Sequence, residues 1–364
     1  MKIVVNSRFL CQPLTGIQRF AIEISLWLKA QFKDEIVFVT PSGITQTDIA
    51  EKLDAKIIGT HSGQIWEQWD LLKYLNKNGK PLLLCLSGGA PVFYKNLIFS
   101  LHDIVYIRYP QSYSFGYRLF YKILMPPVLR HAKSVITVSE FSKKEISDYY
   151  KVPMEKIHVV YNAVSDIFNN VQREEDASTD NEVPAARYFL AVSSPAYHKN
   201  FPFLVQSFLQ ADLSDDIQLY IVGKLDSSLY RPGQLPDGME DNPRIHFLGR
   251  VSDEQLVQLY SKALAFVFPS LYEGFGIPPL EAQACRCLVL SSDKASLPEV
   301  LQDSALYFSP DKVETLVRQL QFALDPKNDY IVESLRLRGM HNVERFGWQF
   351  SAQKTAEIIN SIIE

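Results

Sequence analysis

The chain has 364 residues, of which 47% are hydrophobic and 21% are charged, and its formal net charge at pH 7 is -4. This length is long for one domain and sufficient for two, each with a hydrophobic core of its own. The charge balance gives no reason to expect nucleic acid as a partner, and no apolar run approaches the roughly 18 residues of a bilayer-spanning helix.

Short apolar runs alternate with longer amphipathic segments through the first half of the chain. The predicted strands are 3–5, 36–39, 56–58, 82–86, 97–101, 135–138 and 159–161. The predicted helices between them include 17–30, 66–75, 117–129 and 141–150. This alternation is typical of a parallel sheet with helices on both faces.

The polar, acidic segment 172–182 interrupts this pattern, and we interpret 171–186 as a linker or loop because it has no hydrophobic period. The alternation then restarts with predicted strands at 188–192, 218–222, 245–248, 264–268, 288–290 and 305–308. The predicted helices among them include 203–209, 254–263 and 313–324. Ser252 and Gln255 are spaced as a capping box for the second of these helices. The sequence therefore predicts an α/β fold of two doubly wound, Rossmann-like domains.

Four cysteines, Cys11, Cys85, Cys285 and Cys287, lie in or beside apolar runs. The last two lack a second Cys or His pair at zinc spacing, so we expect buried, reduced thiols. Reduced thiols favour a cytoplasmic location, and residues 1–5 contain too short an apolar run for a signal peptide.

The stretch 270–281 (Ser-Leu-Tyr-Glu-Gly-Phe-Gly-Ile-Pro-Pro-Leu-Glu) joins a predicted buried strand to a predicted helix. Gly274 and Gly276 allow backbone N–H groups to approach a ligand closely, and a helix N-terminus favours negative charge. Glu273 and Glu281 then flank an anion site, where carboxylates can bind sugar hydroxyls rather than the phosphate. The pattern indicates a nucleotide sugar as ligand.

This stretch resembles the Glu-x7-Glu signature of the retaining glycosyltransferases of family 4, also called group 1. Further matching segments occur in order at 15–17 (Thr-Gly-Ile), 102–103 (His-Asp), 134–139, 198–200 (His-Lys-Asn), 247–250 (Phe-Leu-Gly-Arg) and 346–348 (Phe-Gly-Trp). The resemblance covers nearly the whole chain and implies a GT-B fold, in which two domains face a cleft. It implies an acceptor domain at 1–170, a nucleotide-sugar domain at 187–348, and a final helix within 349–364 that crosses back to the first domain.

The resemblance also implies a role for individual residues of the donor site. Glu273 would face the transferred sugar ring as nucleophile or as electrostatic partner, and Lys199 would stabilise the leaving diphosphate. Glu281 would bind the ribose hydroxyls, beside the loop residues Gly274, Phe275 and Gly276. The chain has His198 where family members often carry an arginine. Lys224 or Arg250 could then supply the second cation for the diphosphate.

On the acceptor side, Thr15 and Gly16 lie in the first strand-to-helix loop, and Arg19 follows one turn into the helix. His102 follows the predicted strand 97–101, and His102 with Asp103 resembles the pair that lines the family's cleft near the sugar. The acceptor implied by the resemblance is an oligosaccharide or a lipid-linked sugar.

The region 104–134 interleaves basic and aromatic residues and contains no Asp or Glu. This pattern is typical of a peripheral contact with an anionic membrane surface, and it equally suits an acceptor carried on a lipid diphosphate. An aromatic core face beside a solvated basic face would give the same pattern.

The segments 15–17 and 272–279 most resemble those of bacterial mannosyl- and rhamnosyltransferases of surface-polysaccharide assembly. This resemblance implies a metal-independent, retaining transfer of a hexose, with GDP-mannose as the first donor and dTDP-rhamnose as the second. No Asp-x-Asp pair ends a strand, so we expect neither a metal nor a cofactor. A nicotinamide-dependent oxidoreductase is disfavoured because the first loop lacks Gly-x-Gly-x-x-Gly. A non-catalytic partner subunit of a glycosyltransferase complex stays open as an alternative.

Overall fold

The computed structural model describes residues 2–169, 186–192, 196–223 and 242–363. Thirteen strands lie in these ranges, each at or within two residues of a predicted position. They are β1 (Ile3–Asn6), β2 (Ile36–Thr40), β3 (Lys56–Ile57), β4 (Leu82–Cys85), β5 (Leu97–Ser100), β6 (Ser134–Thr137), β7 (Ile157–Val159), β8 (Arg187–Val192), β9 (Ile217–Val222), β10 (Ile245–Gly249), β11 (Ala265–Phe268), β12 (Val289–Ser292) and β13 (Leu306–Phe308).

Helices connect these strands. They are α1 (Gly16–Phe32), α2 (Thr47–Leu53), α3 (Gly63–Ile65), α4 (Leu72–Lys77), α5 (Val105–Arg108), α6 (Phe115–His131), α7 (Glu140–Tyr150), α8 (Asp166–Asn169), α9 (Phe201–Gln210), α10 (Asp253–Lys262), α11 (Ile277–Ala284), α12 (Leu297–Leu301), α13 (Val313–Phe322), α14 (Asp329–Val343) and α15 (Trp348–Ile363). A π-helix spans Trp66–Leu71, and short 3₁₀ helices span Arg8–Cys11, Lys33–Glu35, Pro110–Ser112, Met154–Lys156, Tyr197–Lys199 and Pro326–Asn328.

The chain divides into two compact units. The first unit contains Met1–Ile104, Ser114–Asn162 and Gly347–Glu364, and the second contains Val105–Tyr113 and Ala163–Phe346. The segment Val105–Tyr113 therefore belongs to the second unit although it lies early in the sequence. Of the linker predicted at 171–186, all but Ala186 lies outside the described residues.

The first unit is built on a seven-stranded sheet in the order β3-β2-β1-β4-β5-β6-β7, and every pairing is parallel. The strand order reverses between β1 and β4, which makes their carboxyl ends the switch point of the sheet. Helix α15 packs on α1 within this unit, where the ring of Trp348 lies 6.2 Å from that of Phe20. The hydroxyl of Ser351 also donates a hydrogen bond to the carbonyl of Tyr161.

The second unit is built on a six-stranded parallel sheet in the order β10-β9-β8-β11-β12-β13. Helices α9 and α13 pack together over a core that includes the fully buried Phe208, Leu219 and Leu316. The order reverses between β8 and β11, so their carboxyl ends form the switch point of this sheet. The two sheets confirm the predicted α/β class.

Several local predictions are confirmed and several helices were missed. Ser252 and Gln255 form the expected capping box at α10. Helices α2, α12 and α14 were not predicted, and the helix expected at 66–75 is interrupted by the π-helix. Cys85, Cys285 and Cys287 are buried free thiols, whereas Cys11 is partly exposed. Within the described ranges, no helix is long and apolar enough to cross a membrane.

Candidate active site

The loop between β11 and α11 carries both predicted glutamates. Gly276 caps α11 with φ +111°, a conformation that L side chains rarely adopt, and a Cβ there would approach Leu297 Cδ2 to 2.8 Å. Pro278 follows in the first turn, where proline needs no hydrogen bond from its nitrogen. The helix therefore begins sharply, and its N-terminus lies just beyond the carboxyl end of β11.

A buried serine holds this loop in place. Ser296 precedes α12 and its hydroxyl lies within donating distance of two loop carbonyls, those of Glu273 at 3.0 Å and Phe275 at 2.8 Å. The ring of Phe275 is itself buried and packs edge-to-face against Phe346 at 5.3 Å. The loop backbone is thus fixed on both sides of Gly274.

Lys199 and Glu273 meet at the switch point between β8 and β11. The Lys199 Nζ lies 2.6 Å from Glu273 Oε1, and the two side chains are 15% and 13% exposed. The ammonium group also lies 5.6 Å from the centre of the Phe268 ring. Such partial burial strengthens the ion pair while leaving both groups within reach of a ligand. The structure therefore brings together two of the residues that the sequence predicted as catalytic.

His198 is buried beside this pair and is held by a residue from far along the chain. Its Nδ1 lies 2.9 Å from the hydroxyl of Ser112, to which its backbone N–H also donates a hydrogen bond. The Tyr109 ring lies 6.3 Å from the imidazole. Burial, with a contribution from Lys199, lowers the pKa of His198 to about 4, so the imidazole is neutral near pH 7. His198 is therefore a poor substitute for a cationic arginine.

Glu281 is the fifth of the eight residues of α11 and is buried, 8% exposed. The hydroxyl of Tyr260 donates a hydrogen bond to Glu281 Oε2 at 3.3 Å. Burial and the Glu281 charge raise the pKa of Tyr260, which keeps the phenol protonated as a donor. The carboxylate thus has a defined orientation.

The other cations considered for the diphosphate, where the structure describes them, do not lie at the switch point between β8 and β11. Arg250 is exposed and follows β10, the outermost strand on its side of the sheet. Lys224 lies outside the described residues. Lys294 was not predicted. It follows β12, next to β11, and pairs with Asp311 at 3.0 Å, which raises its pKa.

The predicted acceptor residues all lie in the first unit. His102 follows β5 and is buried, with Nε2 3.3 Å from the carbonyl of Leu86, and burial lowers its pKa to about 4. Thr15 and Gly16 are exposed at the start of α1, where the Thr15 hydroxyl pairs with Gln18.

Arg19 and Asp103 are each partly buried in the same unit. Within residues 2–169, 186–192, 196–223 and 242–363, no three His, Cys, Asp or Glu side chains are gathered so as to hold a metal ion.

Comparison with known proteins assigns the chain to a class. Residues 172–333 match the model of glycosyl transferases group 1, and residues 15–166 match that of glycosyltransferase family 4. The crystal structure of HepE from Anabaena, in complex with UDP and glucose, superposes with a TM-score of 0.74 at 16% identity, covering 99% of this chain and 100% of that one. The fold is of the GT-B type, and the chain is a glycosyltransferase.

Its relatives narrow the class to a family. The chain is 34% identical to the O-antigen chain mannosyltransferase RfbU of Salmonella typhimurium over 278 residues, 73% of each protein. It is 26% identical to O-antigen chain mannosyltransferase B of Escherichia coli over 98% of each. The chain belongs to the group 1 glycosyltransferases, family 4.

Several residues of this site escaped prediction from sequence. Ser112, Tyr109, Tyr260 and Ser296 each touch a predicted residue, but none belongs to the motif that it supports. Ser112 and His198 are 86 positions apart, so no local pattern could have linked them.

Proposed function

We propose that this glycosyltransferase moves a mannosyl group, with retention and without a metal ion, from GDP-mannose to an oligosaccharide or lipid-linked acceptor in polysaccharide assembly. The observation that carries the proposal is the Lys199–Glu273 pair at the switch point of the second unit, 2.6 Å apart. The choice of mannose and of polysaccharide assembly is supported by relatives that are named O-antigen mannosyltransferases.

The pair offers a chemistry for breaking the bond between the sugar C1 and the diphosphate. Negative charge that builds on the leaving phosphate oxygen would draw Lys199 away from Glu273. Glu273 would then be free to stabilise positive charge on the sugar ring. The acceptor oxygen forms its bond to C1 on the face that the phosphate leaves, and its proton passes to the phosphate oxygen.

Glu281 and Tyr260 would define the nucleotide end of this site. A carboxylate that already accepts one hydrogen bond from Tyr260 at 3.3 Å retains further lone pairs for ribose hydroxyls. GDP-mannose offers two such hydroxyls, whereas dTDP-rhamnose offers one. This difference favours the first donor.

A binding panel tests the donor assignment. Calorimetric titration of the full chain with GDP-mannose, dTDP-rhamnose and UDP-glucose is expected to give the tightest binding for GDP-mannose. Glu281→Ala should weaken it about tenfold or more, because a charged group that accepts hydrogen bonds contributes about 1.5–3 kcal/mol. Glu314→Ala, which removes an exposed carboxylate of the same unit, is the control.

If dTDP-rhamnose binds most tightly, the donor is dTDP-rhamnose rather than GDP-mannose. The donor-site model fails if no nucleotide sugar binds, or if Glu281→Ala binds as well as the unaltered chain.

Metal independence has a separate test. Transfer measured after dialysis against EDTA is expected to keep the rate seen with added Mg²⁺, because the Lys199 ammonium group, rather than a metal ion, stabilises the leaving group. A loss that Mg²⁺ restores would contradict this part of the proposal.

An anionic membrane surface is proposed as a partner of α6 in the first unit. Phe115, Leu119 and Ile123 recur at four-residue spacing and are 71%, 45% and 67% exposed. Lys122 and Arg130 are exposed on the same helix, and residues 114–134 contain no Asp or Glu. Apolar side chains flanked by cations suit the interface of an anionic bilayer.

A further inference from the structure

The first unit has its own polar cluster at the switch point of its sheet. None of the residues in this cluster was among the predicted acceptor residues. Asn6 is the last residue of β1 and is fully buried, and Arg8 follows it in a 3₁₀ helix. Gly89 follows β4, the strand beside β1 on the other side of the reversal. Ligands of doubly wound sheets bind beyond the carboxyl ends of the strands at this kind of position.

The centre of the cluster is Glu67, which the π-helix Trp66–Leu71 supplies. Its side chain is 0% exposed, and its Oε1 lies 2.7 Å from Arg8 Nε. The Asn6 Nδ2 also donates to Oε1 at 3.0 Å and to the carbonyl of Gly89 at 3.1 Å. π-Helices are rare and occur frequently at functional sites. Here the π-helix brings a charged side chain to the carboxyl ends of β1 and β4.

The hydrogen-bonding capacity of this cluster is not used up. Glu67 Oε2 is buried and accepts no hydrogen bond from any residue that the structure describes. Arg8 is 11% exposed, and its two terminal nitrogens have no partner among the described residues. A buried carboxylate with an unused oxygen costs free energy, and apolar residues of similar volume often give a protein of equal or greater stability than a buried ion pair does. The pair therefore suggests a role other than stabilising the fold.

The neighbouring residues are arranged to keep this pair in place. A Cβ at Gly89 would overlap the Glu67 carboxylate, so a larger residue at this position would force that side chain to move. Gln68, the next residue of the π-helix, fixes the same loop by donating to the carbonyl of Ala90 at 2.8 Å and accepting from the N–H of Val92 at 2.9 Å. The Glu67 carboxylate is therefore held against the loop after β4.

The two units share one arrangement. Each has a cation paired with a carboxylate at the point where its sheet order reverses: Arg8 with Glu67 in the first, and Lys199 with Glu273 in the second. The second pair belongs to the proposed donor site. The Arg8–Glu67 pair has no role in the proposed cleavage of the bond between the sugar and the diphosphate.

We propose that Arg8 is an acceptor-binding residue, whose terminal guanidinium nitrogens donate hydrogen bonds to hydroxyl groups of the acceptor sugar while Glu67 positions it. This inference rests on the proposed function. Hydroxyls are favoured over phosphate because the Glu67 carboxylate balances the charge of Arg8 and would repel an anion. The parallel donors of a guanidinium fit two neighbouring hydroxyls of a sugar ring.

Binding of a neutral glycoside tests the proposal. The probes are p-nitrophenyl α-glycosides of mannose, rhamnose, glucose and galactose, titrated into the full chain and followed by saturation-transfer NMR. Arg8→Gln is expected to weaken binding of the best probe about tenfold or more. Lys52→Gln, which removes an exposed cation of the same unit, should leave binding unchanged.

Two further variants separate binding from folding. Arg8→Gln alone leaves Glu67 buried without its cation, so the double variant Arg8→Gln/Glu67→Gln removes both charges and is expected to fold and still bind weakly. Gly89→Ala should displace Glu67 and weaken glycoside binding with Arg8 intact. Thermal unfolding followed by circular dichroism checks that each of these variants is folded.

The proposal is overturned if the unaltered chain binds none of the glycosides, or if the folded double variant binds as tightly as the unaltered chain. It is also overturned if pyrophosphate displaces the glycoside from the unaltered chain but not from the double variant, since Arg8 would then be a phosphate ligand. None of these results depends on nucleotide-sugar binding. Absence of nucleotide-sugar binding in the unaltered chain would instead refute the proposed function.

Discussion

Two histidines of the predicted site are neutral because they are buried. Burial lowers the pKa of His102 and of His198 to about 4, from an ordinary value of 6.5. The unfolded chain therefore binds more protons than the folded chain between these values, and the free energy of unfolding falls as the pH falls through this window.

Unfolding by urea at pH 7 and pH 5.5 measures this effect. We expect the chain to lose stability at the lower pH, and His102→Gln and His198→Gln each to lose less, because the substituted side chain does not titrate. His341→Gln replaces a histidine that is 77% exposed and should keep the full loss. Equal losses in all four proteins would contradict the account of the buried histidines.

Residues within one motif could be predicted, whereas residues that support the motif from elsewhere could not. Glu273 and Glu281 follow from the Gly-x-Gly turn and the prolines between them. The role of His198 could not be inferred, because its partner Ser112 comes from a segment that folds with the second unit.

At the scale of elements, one hydroxyl supports the loop that carries Glu273. Ser296 is 0% exposed and lies within hydrogen-bonding distance of the carbonyls of Glu273 and Phe275. Ser296→Ala removes this hydroxyl from both carbonyls.

Ser296→Ala is therefore expected to lower the free energy of unfolding by about 1–2 kcal/mol and to reduce the rate of sugar transfer several-fold. Chemical denaturation and steady-state rates measure the two effects. The matched control is Ser207→Ala, which removes the hydroxyl of a buried serine that donates to the Phe203 carbonyl inside α9. An equal effect of the two substitutions on the rate would contradict a special role for Ser296.

The strands were easier to predict than the helices. Strands buried in parallel sheets are short continuous apolar runs, which is why all thirteen were located in the described ranges. Helix α14 was missed because apolar residues are spread around it without a clear face. The π-helix has no sequence signature, so the inward position of Glu67 could be learned only from the structure.

At the scale of the whole molecule, α6 is proposed to hold the chain at an anionic surface. Lys122→Glu/Arg130→Glu should reduce sedimentation with vesicles that contain phosphatidylglycerol, because each cation near such a surface contributes about 1 kcal/mol. Lys52→Glu/Lys77→Glu makes the same change of charge elsewhere in the first unit and should have a smaller effect. Equal sedimentation of both variants and the unaltered chain would show that α6 does not bind an anionic membrane surface.

The release of GDP from GDP-mannose measures whether the Lys199–Glu273 pair acts on the nucleotide sugar. Lys199→Ala is expected to slow release about 100-fold or more, whereas Lys262→Ala, at an exposed lysine of the same unit, should leave it unchanged. Release by Lys199→Ala at the rate of the unaltered chain would show that Lys199 does not stabilise the leaving diphosphate.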